Sequence, residues 1–199
     1  MPISPFRAQA AYQAASIMFF RLLISLKKRI TARDFCRVFN ASDLGKKKYN
    51  RLLQKTGVIS PGNTVIRPPF YFEYGNISFG DRVFVNTGCI FLDNAPITIG
   101  ARTLIGPGVK FCTTTHHVSP SIRHERNLDA PISIGSNCWI GAGTVVLPGV
   151  IIGDNSVVAA NSVVTRDIEP NALYAGAPAT RKRSLDIDVQ KSVPIPAPV

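Results

Sequence analysis

The chain holds three histidines among its 199 residues, and all three lie within one short segment, FCTTTHHVSPSIRHE. His116 and His117 are neighbours, and His124 follows a few residues later. An imidazole titrates near neutral pH, so such a side chain can act as a general base or as a metal ligand. The residue types alone also allow a third interpretation, in which these are surface histidines of a loop without a chemical task. The structural elements that carry the segment distinguish between these three interpretations.

A six-residue repeat flanks the histidine segment on both sides. Branched aliphatic residues occupy every sixth position after it, at Ile134, Ile140, Val146, Ile152, Val158 and Val164. The same spacing runs before it, with one slip of two residues, through Phe79, Val85, Phe91, Ile99, Ile105 and Phe111. This period matches neither the turn of an α-helix nor a strand hairpin. It is typical of a solenoid in which every sixth side chain points to the axis, so it predicts a parallel β-helix.

The repeat is interrupted between Phe111 and Ile134, so the histidines are predicted to lie on a loop over 112–133 that leaves the solenoid. Loops on a rigid scaffold are common sites of function. Glycine directly follows Ile134, Ile140 and Ile152. Triplets such as GDN, GAR and GSN are expected at the corners of the coils, because Gly, Asp and Asn tolerate unusual φ values.

Three regions are predicted along the chain. Residues 1–60 have amphipathic patterns and stop signals typical of an N-terminal helical segment. Residues 61–180 are expected to form the β-helix domain, and residues 181–199 a basic, flexible C-terminal tail. The apolar stretch AAYQAASIMFFRLLISL is interrupted by Arg21 and is too short between charges to span a bilayer. We therefore expect an amphipathic helix that packs on the body or on a partner, and no membrane span.

The net charge indicates which classes of partner to expect, and the cysteines indicate the redox compartment. A net charge of +11 and a pI of about 9.9 favour an anionic partner, such as nucleic acid, a membrane surface or a phosphate-bearing ligand. Nucleic acid is disfavoured, because no basic motif with interleaved aromatic residues accompanies the charge. The four cysteines include no C-x-x-C pair, so they are expected to be free thiols in a reducing compartment, and the protein is expected to be cytoplasmic.

Three strings in the sequence resemble one family. These are RPPFYFEYGNISFGDRVFVNTGCIFLDNAPITIG, TTTHH, and PISIGSNCWIGAGTVVLPGVIIGDNSVVAANSVVTRDIEPNALYAGAPA. They are similar, in this order, to the left-handed β-helix acyltransferases with hexapeptide repeats, within the maltose and galactoside O-acetyltransferase group that includes the nodulation acetyltransferases. The resemblance covers roughly residues 35–183, and the first thirty residues do not share it. It implies an all-β, single-stranded left-handed parallel β-helix that transfers an acetyl group from acetyl-CoA to a hydroxyl of a sugar or other small molecule.

The resemblance also implies roles for individual residues. His116 aligns with the family's general base, and Asn86 in VFVNTG with an asparagine near the base and the acceptor hydroxyl. Asp93 in FLDN and Glu73 in YFEYG match acceptor-binding positions. Glu73 stands where relatives have a shorter Asp or Ser, so the acceptor need not be the usual sugar. His117 occupies the place of a proline. It is expected to be a solvated bystander, and a contact to the acceptor or a second titrating group beside His116 are the open alternatives.

Coenzyme A is expected to lie along the C-terminal coils. Trp139 and the narrow residues near it would line the pantetheine arm, and cationic residues would bind the phosphates. The residues that the resemblance assigns to this cofactor are Trp139, Ala142, Gly143, Ala160, Thr165, Arg166, Arg181 and Arg183. Thr180 stands where the family has an arginine, which makes Arg181 a shifted replacement. Relatives form trimers with active sites between subunits, so a homotrimer is expected.

Other interpretations stay open at this stage. The γ-type carbonic anhydrases share this solenoid and bind zinc through three histidines. Here no metal is expected, because adjacent His116 and His117 project differently and no other coil offers a ligand. The same fold could acetylate an amine or a secondary-metabolite hydroxyl, or it could be a scaffold without catalytic activity.

Overall fold

The computed structural model describes residues 17–186. The predicted helical residues before 17 and the predicted tail beyond 186 lie outside the described residues. Three helices precede the solenoid: α1 over 17–26, α2 over Ala32–Asn40 and α3 over Lys46–Gln54. Helix α2 begins at a capping box formed by Thr31 and Asp34. Phe35 of α2 packs on Phe72 of the first coil with 5.7 Å between ring centroids, which attaches the helices to the solenoid.

The strands form three faces that run along the solenoid. Face I contains β1 (Val65–Ile66), β4 (Phe84–Val85), β7 (Leu104–Ile105), β12 (Trp139–Ile140), β15 (Val157–Val158), β17 (Ala172–Ala175) and β18 (Thr180–Ser184). Face II contains β2 (Phe70–Phe72), β5 (Cys89–Leu92), β8 (Lys110–Cys112), β13 (Val145–Val146) and β16 (Val163–Val164). Face III contains β3 (Ile77–Phe79), β6 (Ile97–Ile99), β11 (Ile132–Ile134) and β14 (Ile151–Ile152). The remaining strands, β9 (Thr114–His116) and β10 (Asn127–Asp129), pair only with each other.

The chain visits the faces in the order I, II, III, so each circuit makes one coil with three corners. Strands of successive coils are parallel and in register, so equivalent residues stack along the axis. On face II, for example, Phe91 pairs with Phe111, and their rings meet edge to face at 4.7 Å between centroids. All twelve residues of the six-residue register are buried, none more than 4% exposed. The predicted parallel β-helix is confirmed.

The corners between faces III and I explain the triplets in the sequence. A Cβ placed on Gly80 would lie 2.6 Å from the backbone nitrogen of Ala101 in the next coil. The glycine is therefore required by the close approach of two coils, and it does not have a positive φ. In four corners the positive φ belongs to the residue two positions after the glycine, at Arg82, Arg102, Asn137 and Asn155. Asn171 has the same conformation at the last corner, where Glu169 takes the place of the glycine. The triplets do lie at the corners, as predicted. The glycines are needed because a side chain would clash with the next coil, and the left-handed conformation is adopted mostly by asparagine.

Two segments depart from the regular repeat. The loop after β8 contains the antiparallel hairpin β9–β10. Residues 181–184, predicted as the start of a flexible tail, instead belong to strand β18, which pairs antiparallel with β17. The last coil would leave the edge of β17 open, and the returning chain satisfies its backbone groups. Strand β18, whose five residues are all exposed, is therefore the last strand of face I in the described part of the chain.

Replacing Gly80 with alanine tests the close approach of the coils. The added Cβ forces a backbone shift in the next coil, so we expect the free energy of unfolding to fall by about 2–3 kcal/mol. A Cβ added to Gly45, at the start of α3, would meet no atom of the described chain within 4 Å, so Gly45→Ala is the matched control. We expect this control to lose less than about 1 kcal/mol. Urea denaturation followed by circular dichroism measures both changes, and equal losses would contradict the explanation.

Candidate active site

The loop that carries the histidines is anchored on the coil below it. The Thr113 hydroxyl donates to the carbonyl of Leu92 at 2.7 Å and accepts from the N–H of Ala95 at 2.9 Å. At the other end of the loop, the N–H of Ala130 donates to the carbonyl of Thr113 at 2.8 Å. Both ends of the loop therefore meet at one buried threonine, from which the hairpin projects.

The three histidines have different surroundings on this loop. His116 ends strand β9 opposite Asn127, and its side chain is exposed. The Nδ1 atom of His117 accepts a hydrogen bond from the N–H of Ser119 at 3.1 Å, which ties this ring to its own turn. His124 is exposed near the tip of the loop. Of the adjacent pair, His116 therefore keeps both ring nitrogens available within the described residues, and His117 uses one to shape the loop.

Asp93 has a different role from direct acceptor binding. Its side chain is completely buried. One carboxylate oxygen accepts from the N–H groups of Glu73 and Tyr74 at 2.7 and 3.1 Å, and the other from those of Gly75 and Asn76 at 2.7 and 2.8 Å. A carboxylate surrounded by backbone donors has no face left for a ligand. Asp93 instead fixes the turn that presents Glu73.

An open cleft of 680 Å³ lies between helix α2 and this turn. Glu73 lines it and is exposed. Arg33 and Arg37 line the helical side, and Tyr71 and Tyr74 line the solenoid side. The cleft therefore combines one carboxylate, two guanidinium groups and two phenols, which can donate and accept hydrogen bonds to a polyhydroxylated molecule.

Sequence reasoning missed the residue that holds this cleft together. The side chain of Asn40, the last residue of α2, makes two hydrogen bonds to the backbone of Phe70, at 2.9 and 3.0 Å. This amide fixes the helix against strand β2, in a pattern that matches the hydrogen bonds of a sheet. The asparagine followed by Ala-Ser indicates only a helix boundary, and nothing in the sequence indicates the long-range partner.

The corner between faces I and II carries a second set of predicted residues. Asn86 follows β4, Ala142 and Gly143 follow β12, and Ala160 follows β15, so all four lie along one edge of the solenoid. The carbonyl of Ala142 accepts from the N–H of Asn161 at 2.8 Å, which links successive corners. Among residues 17–186, the N–H groups of Ala142 and Ala160 donate to no protein acceptor. Narrow side chains and available amides make this edge suitable for an extended ligand with carbonyl groups.

The face beside that edge is apolar. Trp139 is 57% exposed, and it pairs in register with Leu104 below, which is 50% exposed, and with Val157 above. Arg181 and Arg183 are exposed on β18 at the end of the same face. Arg181 lies 3.5 Å from Glu169, an exposed ion pair that a phosphate could replace at little cost.

The structure does not bring all the predicted residues to one place within a protomer. The histidine loop, Glu73, Thr165 and Arg166 lie at the corner between faces II and III. Asn86 lies at the corner between faces I and II. The two corners are separated by the width of face II, where the four residues of β5 span about 13 Å.

Two buried cysteines lie beside these corners: Cys36 lines the cleft, and the Sγ atom of Cys89 donates to the carbonyl of Gly106 at 3.3 Å. All four are free, and burial raises the pKa of the Cys89 thiol to about 11. Cys36 and Cys138 are buried as well, and burial also raises their pKa values. Across residues 17–186, no group of three or more His, Cys, Asp or Glu side chains is placed to hold a metal ion. None of the helices in the same range is long and apolar enough to cross a membrane.

A solenoid of six-residue steps with a histidine-bearing loop at one corner defines a hexapeptide-repeat protein. A family model for the hexapeptide repeat of succinyl-transferase matches residues 131–166. A relative from Schizosaccharomyces pombe is 47% identical over 123 residues, which cover 61% of this chain and 59% of that protein. Galactoside O-acetyltransferase of Escherichia coli K12 is 37% identical over 163 residues, which cover 80% of each chain.

A solved structure extends this comparison. The hexapeptide-repeat acetyltransferase VCA0836 of Vibrio cholerae, in complex with acetyl coenzyme A, superimposes with a TM-score of 0.74 at 39% identity. The match covers 78% of this chain and 85% of that one. The chain therefore belongs to the hexapeptide-repeat acetyltransferases, in the group that contains the galactoside and maltose enzymes.

Substitution of Asp93 by asparagine tests its positioning role. An amide offers one oxygen in place of two and brings an N–H₂ group against backbone donors, so we expect a loss of about 2–3 kcal/mol in stability. The amide protons of residues 73–76 should exchange faster with solvent. Asp43, an exposed carboxylate between α2 and α3, supplies the control variant Asp43→Asn. Hydrogen exchange with mass spectrometry measures the effect, and unchanged protection of residues 73–76 would refute the role.

Proposed function

We propose that the protein is an acetyl-CoA-dependent O-acetyltransferase whose general base is His116. One observation carries the proposal: the exposed imidazole of His116 projects on a hairpin whose base is fixed, through Thr113, to the coil that also orients Glu73. The family and the acetyl-CoA complex of the Vibrio relative support the reaction class. The acceptor is a hydroxyl of a sugar or of another small molecule.

The reaction is a direct transfer between two bound substrates. The imidazole of His116 removes the proton from the acceptor hydroxyl as the oxygen attacks the thioester carbonyl of acetyl-CoA. The resulting tetrahedral intermediate breaks its C–S bond and releases the CoA thiolate. The imidazolium returns its proton to that thiolate, which leaves the acetyl ester, free CoA and a neutral histidine. His117 does not share this task, because its Nδ1 already accepts from Ser119.

The acceptor is proposed to lie in the cleft beside Glu73. The carboxylate of Glu73 would accept hydrogen bonds from acceptor hydroxyls, and Arg33 and Arg37 would donate them. Asp93 contributes indirectly, by holding the turn. A hydroxyl acceptor is favoured over an amine, because the two guanidinium groups in the cleft would repel an ammonium ion.

Coenzyme A is proposed to lie along the edge between faces I and II. The N–H groups of Ala142 and Ala160, which have no acceptor within residues 17–186, would donate to the carbonyls of the pantetheine arm. Gly143 and the exposed ring of Trp139 lie beside them. The phosphates would be bound by cations from two places. These cations are Arg181 and Arg183 on β18, and Arg166 beside Thr165 at the other corner.

A homotrimer accounts for the separation of the two corners. Within one chain, the proposed base and the proposed pantetheine edge lie on opposite sides of face II, which favours a neighbouring chain as the source of one of them. The apolar outer surface of face I, with Trp139 and Leu104, would be covered in such an assembly. Each active site would then combine His116 of one chain with Asn86, Ala142 and Ala160 of the next.

Removal of the imidazole tests the catalytic proposal. His116→Ala should lower kcat for CoA release by about 10²–10⁴-fold with little change in the KM for acetyl-CoA, because base catalysis is lost and cofactor contacts remain. His124→Ala removes an exposed histidine of the same loop and should retain wild-type turnover. Thiol release across a panel of sugar, amine and secondary-metabolite acceptors measures both variants. Wild-type turnover by His116→Ala would exclude this base, and no turnover by the wild type with any hydroxyl acceptor would exclude the reaction.

Complementation tests whether the site is shared. Inactive His116→Ala and Asn86→Ala chains are unfolded together, mixed in equal amounts and refolded. If each site takes these residues from different chains, one site in three is intact in every trimer that contains both variants, so about one quarter of all sites are active and activity returns to that level. If both residues act from one chain, every site is defective and no activity returns. Refolded His116→Ala alone is the control.

A further inference from the structure

Helix α1 is apolar on two sides. Its inner side packs on the body, where Ile24 is fully buried and the ring of Phe20 lies 4.7 Å from the guanidinium carbon of Arg37. Its outer side is exposed to solvent over five large apolar residues, which we call the α1 surface: Met18 (68% exposed), Phe19 (63%), Leu22 (59%), Leu23 (42%) and Leu26 (78%). A continuous exposed apolar surface of this kind usually contacts something.

Helix α1 is held in place by helix α3. The ammonium group of Lys55 donates to the carbonyls of Ser25 and Lys27 at 2.7 and 2.9 Å, at the C-terminal end of α1. An open groove of 730 Å³ runs between the two helices. Met18 and Leu22 line it on one side, and the cationic Lys48 and Arg51 line it on the other. The α1 surface is therefore bordered by positive charge.

Most of the net charge of the chain lies in this region. Residues 17–55 contain eleven of the 23 Lys and Arg residues but only two of the 12 Asp and Glu residues, so they carry nine of the eleven net positive charges. Two runs of three basic residues, Lys27-Lys28-Arg29 and Lys46-Lys47-Lys48, are exposed. The cofactor proposed above accounts for little of this charge, because its residues lie in the solenoid and on β18.

We propose that the α1 surface and its basic border form a docking site for an anionic lipid bilayer. Exposed apolar side chains beside clustered Lys and Arg are what an interfacial helix needs to enter the boundary between headgroups and acyl chains. The ten helical residues described over 17–26 are about 15 Å long, which is half the thickness of the hydrocarbon core, and we place them in the plane of the membrane.

A bilayer fits better than a single lipid or a protein partner. Leu23 and Leu26 belong to the α1 surface but do not line the groove, so the apolar area is wider than one acyl chain would cover. The basic border is long and contains few acidic residues, so its charge is complementary to a uniformly negative membrane surface. Docking would place the acceptor cleft, whose wall includes Arg33 and Arg37 of α2, near the membrane.

The test is sedimentation of the full chain with vesicles. Protein is mixed with vesicles of phosphatidylcholine alone, or of equal parts phosphatidylcholine and phosphatidylglycerol. We expect pelleting with the anionic vesicles only, and release in about 1 M NaCl, where screening shortens electrostatic attraction to a few Å. No pelleting with anionic vesicles, or equal pelleting with both compositions, would overturn the proposal.

Two pairs of variants separate the apolar and the charged contributions. Phe19→Ser with Leu26→Ser, and separately Lys46→Glu with Lys47→Glu, should each reduce the vesicle-bound fraction about tenfold or more. Matched controls are Ile151→Ser, an exposed apolar residue on face III, and Lys110→Glu, an exposed lysine on face II; both should pellet like the wild type. Wild-type pelleting by both paired variants would refute the docking site.

One more measurement distinguishes docking from self-association. Sedimentation equilibrium of wild type and of the Phe19→Ser, Leu26→Ser variant, without vesicles, reports the number of chains in the particle. An unchanged number supports the membrane proposal. A smaller number for the variant shows that the α1 surface is an interface between copies of the chain. This outcome would overturn the membrane proposal.

Discussion

The close approach of successive coils is the constraint on which the rest of this structure depends. Parallel strands stack at about 4.8 Å, so the backbone at each corner lies against the backbone of the next corner. Only glycine fits where Gly80 faces Ala101, and a left-handed residue must follow to turn the chain onto the next face. Once the corners are fixed, the twelve register residues meet on the axis, and each departure of the chain is confined to a corner.

The functional groups depend on the same stacking through two buried polar residues. Thr113 begins the histidine loop directly above the coil that ends in Asp93, and its hydroxyl bonds to that coil. Asp93 in turn collects the backbone N–H groups of the coil below and orients Glu73. Hydrogen bonds between successive coils thus align the proposed base with the proposed acceptor cleft. The side chains of His116 and Glu73 do not have to contact each other for this alignment.

Much of this arrangement follows from the sequence, because a six-residue period is a local property that needs no knowledge of distant contacts. The core positions, the exit of the loop after Phe111 and the exposure of His116 could all be predicted this way. The burial of Asp93 could not, because an acidic residue at a corner gives no sign of donors that come from a different coil. Strand β18 escapes prediction for a related reason. Its residues, TRKRS, lack an apolar alternation, and it forms because β17 leaves an edge to be paired.

The hairpin β9–β10 lies outside the stacked coils, so its length can change over evolution more easily than the length of a coil. An extra residue inside a coil would move every following side chain to a wrong position relative to its neighbours. An extra residue in the hairpin is tolerated, because each doubling of loop length costs only about 0.6 kcal/mol in chain entropy and both ends return to Thr113. The length of this hairpin can therefore vary between related enzymes while the solenoid stays the same. Changes in the surroundings of the proposed base are therefore separated from the packing of the solenoid.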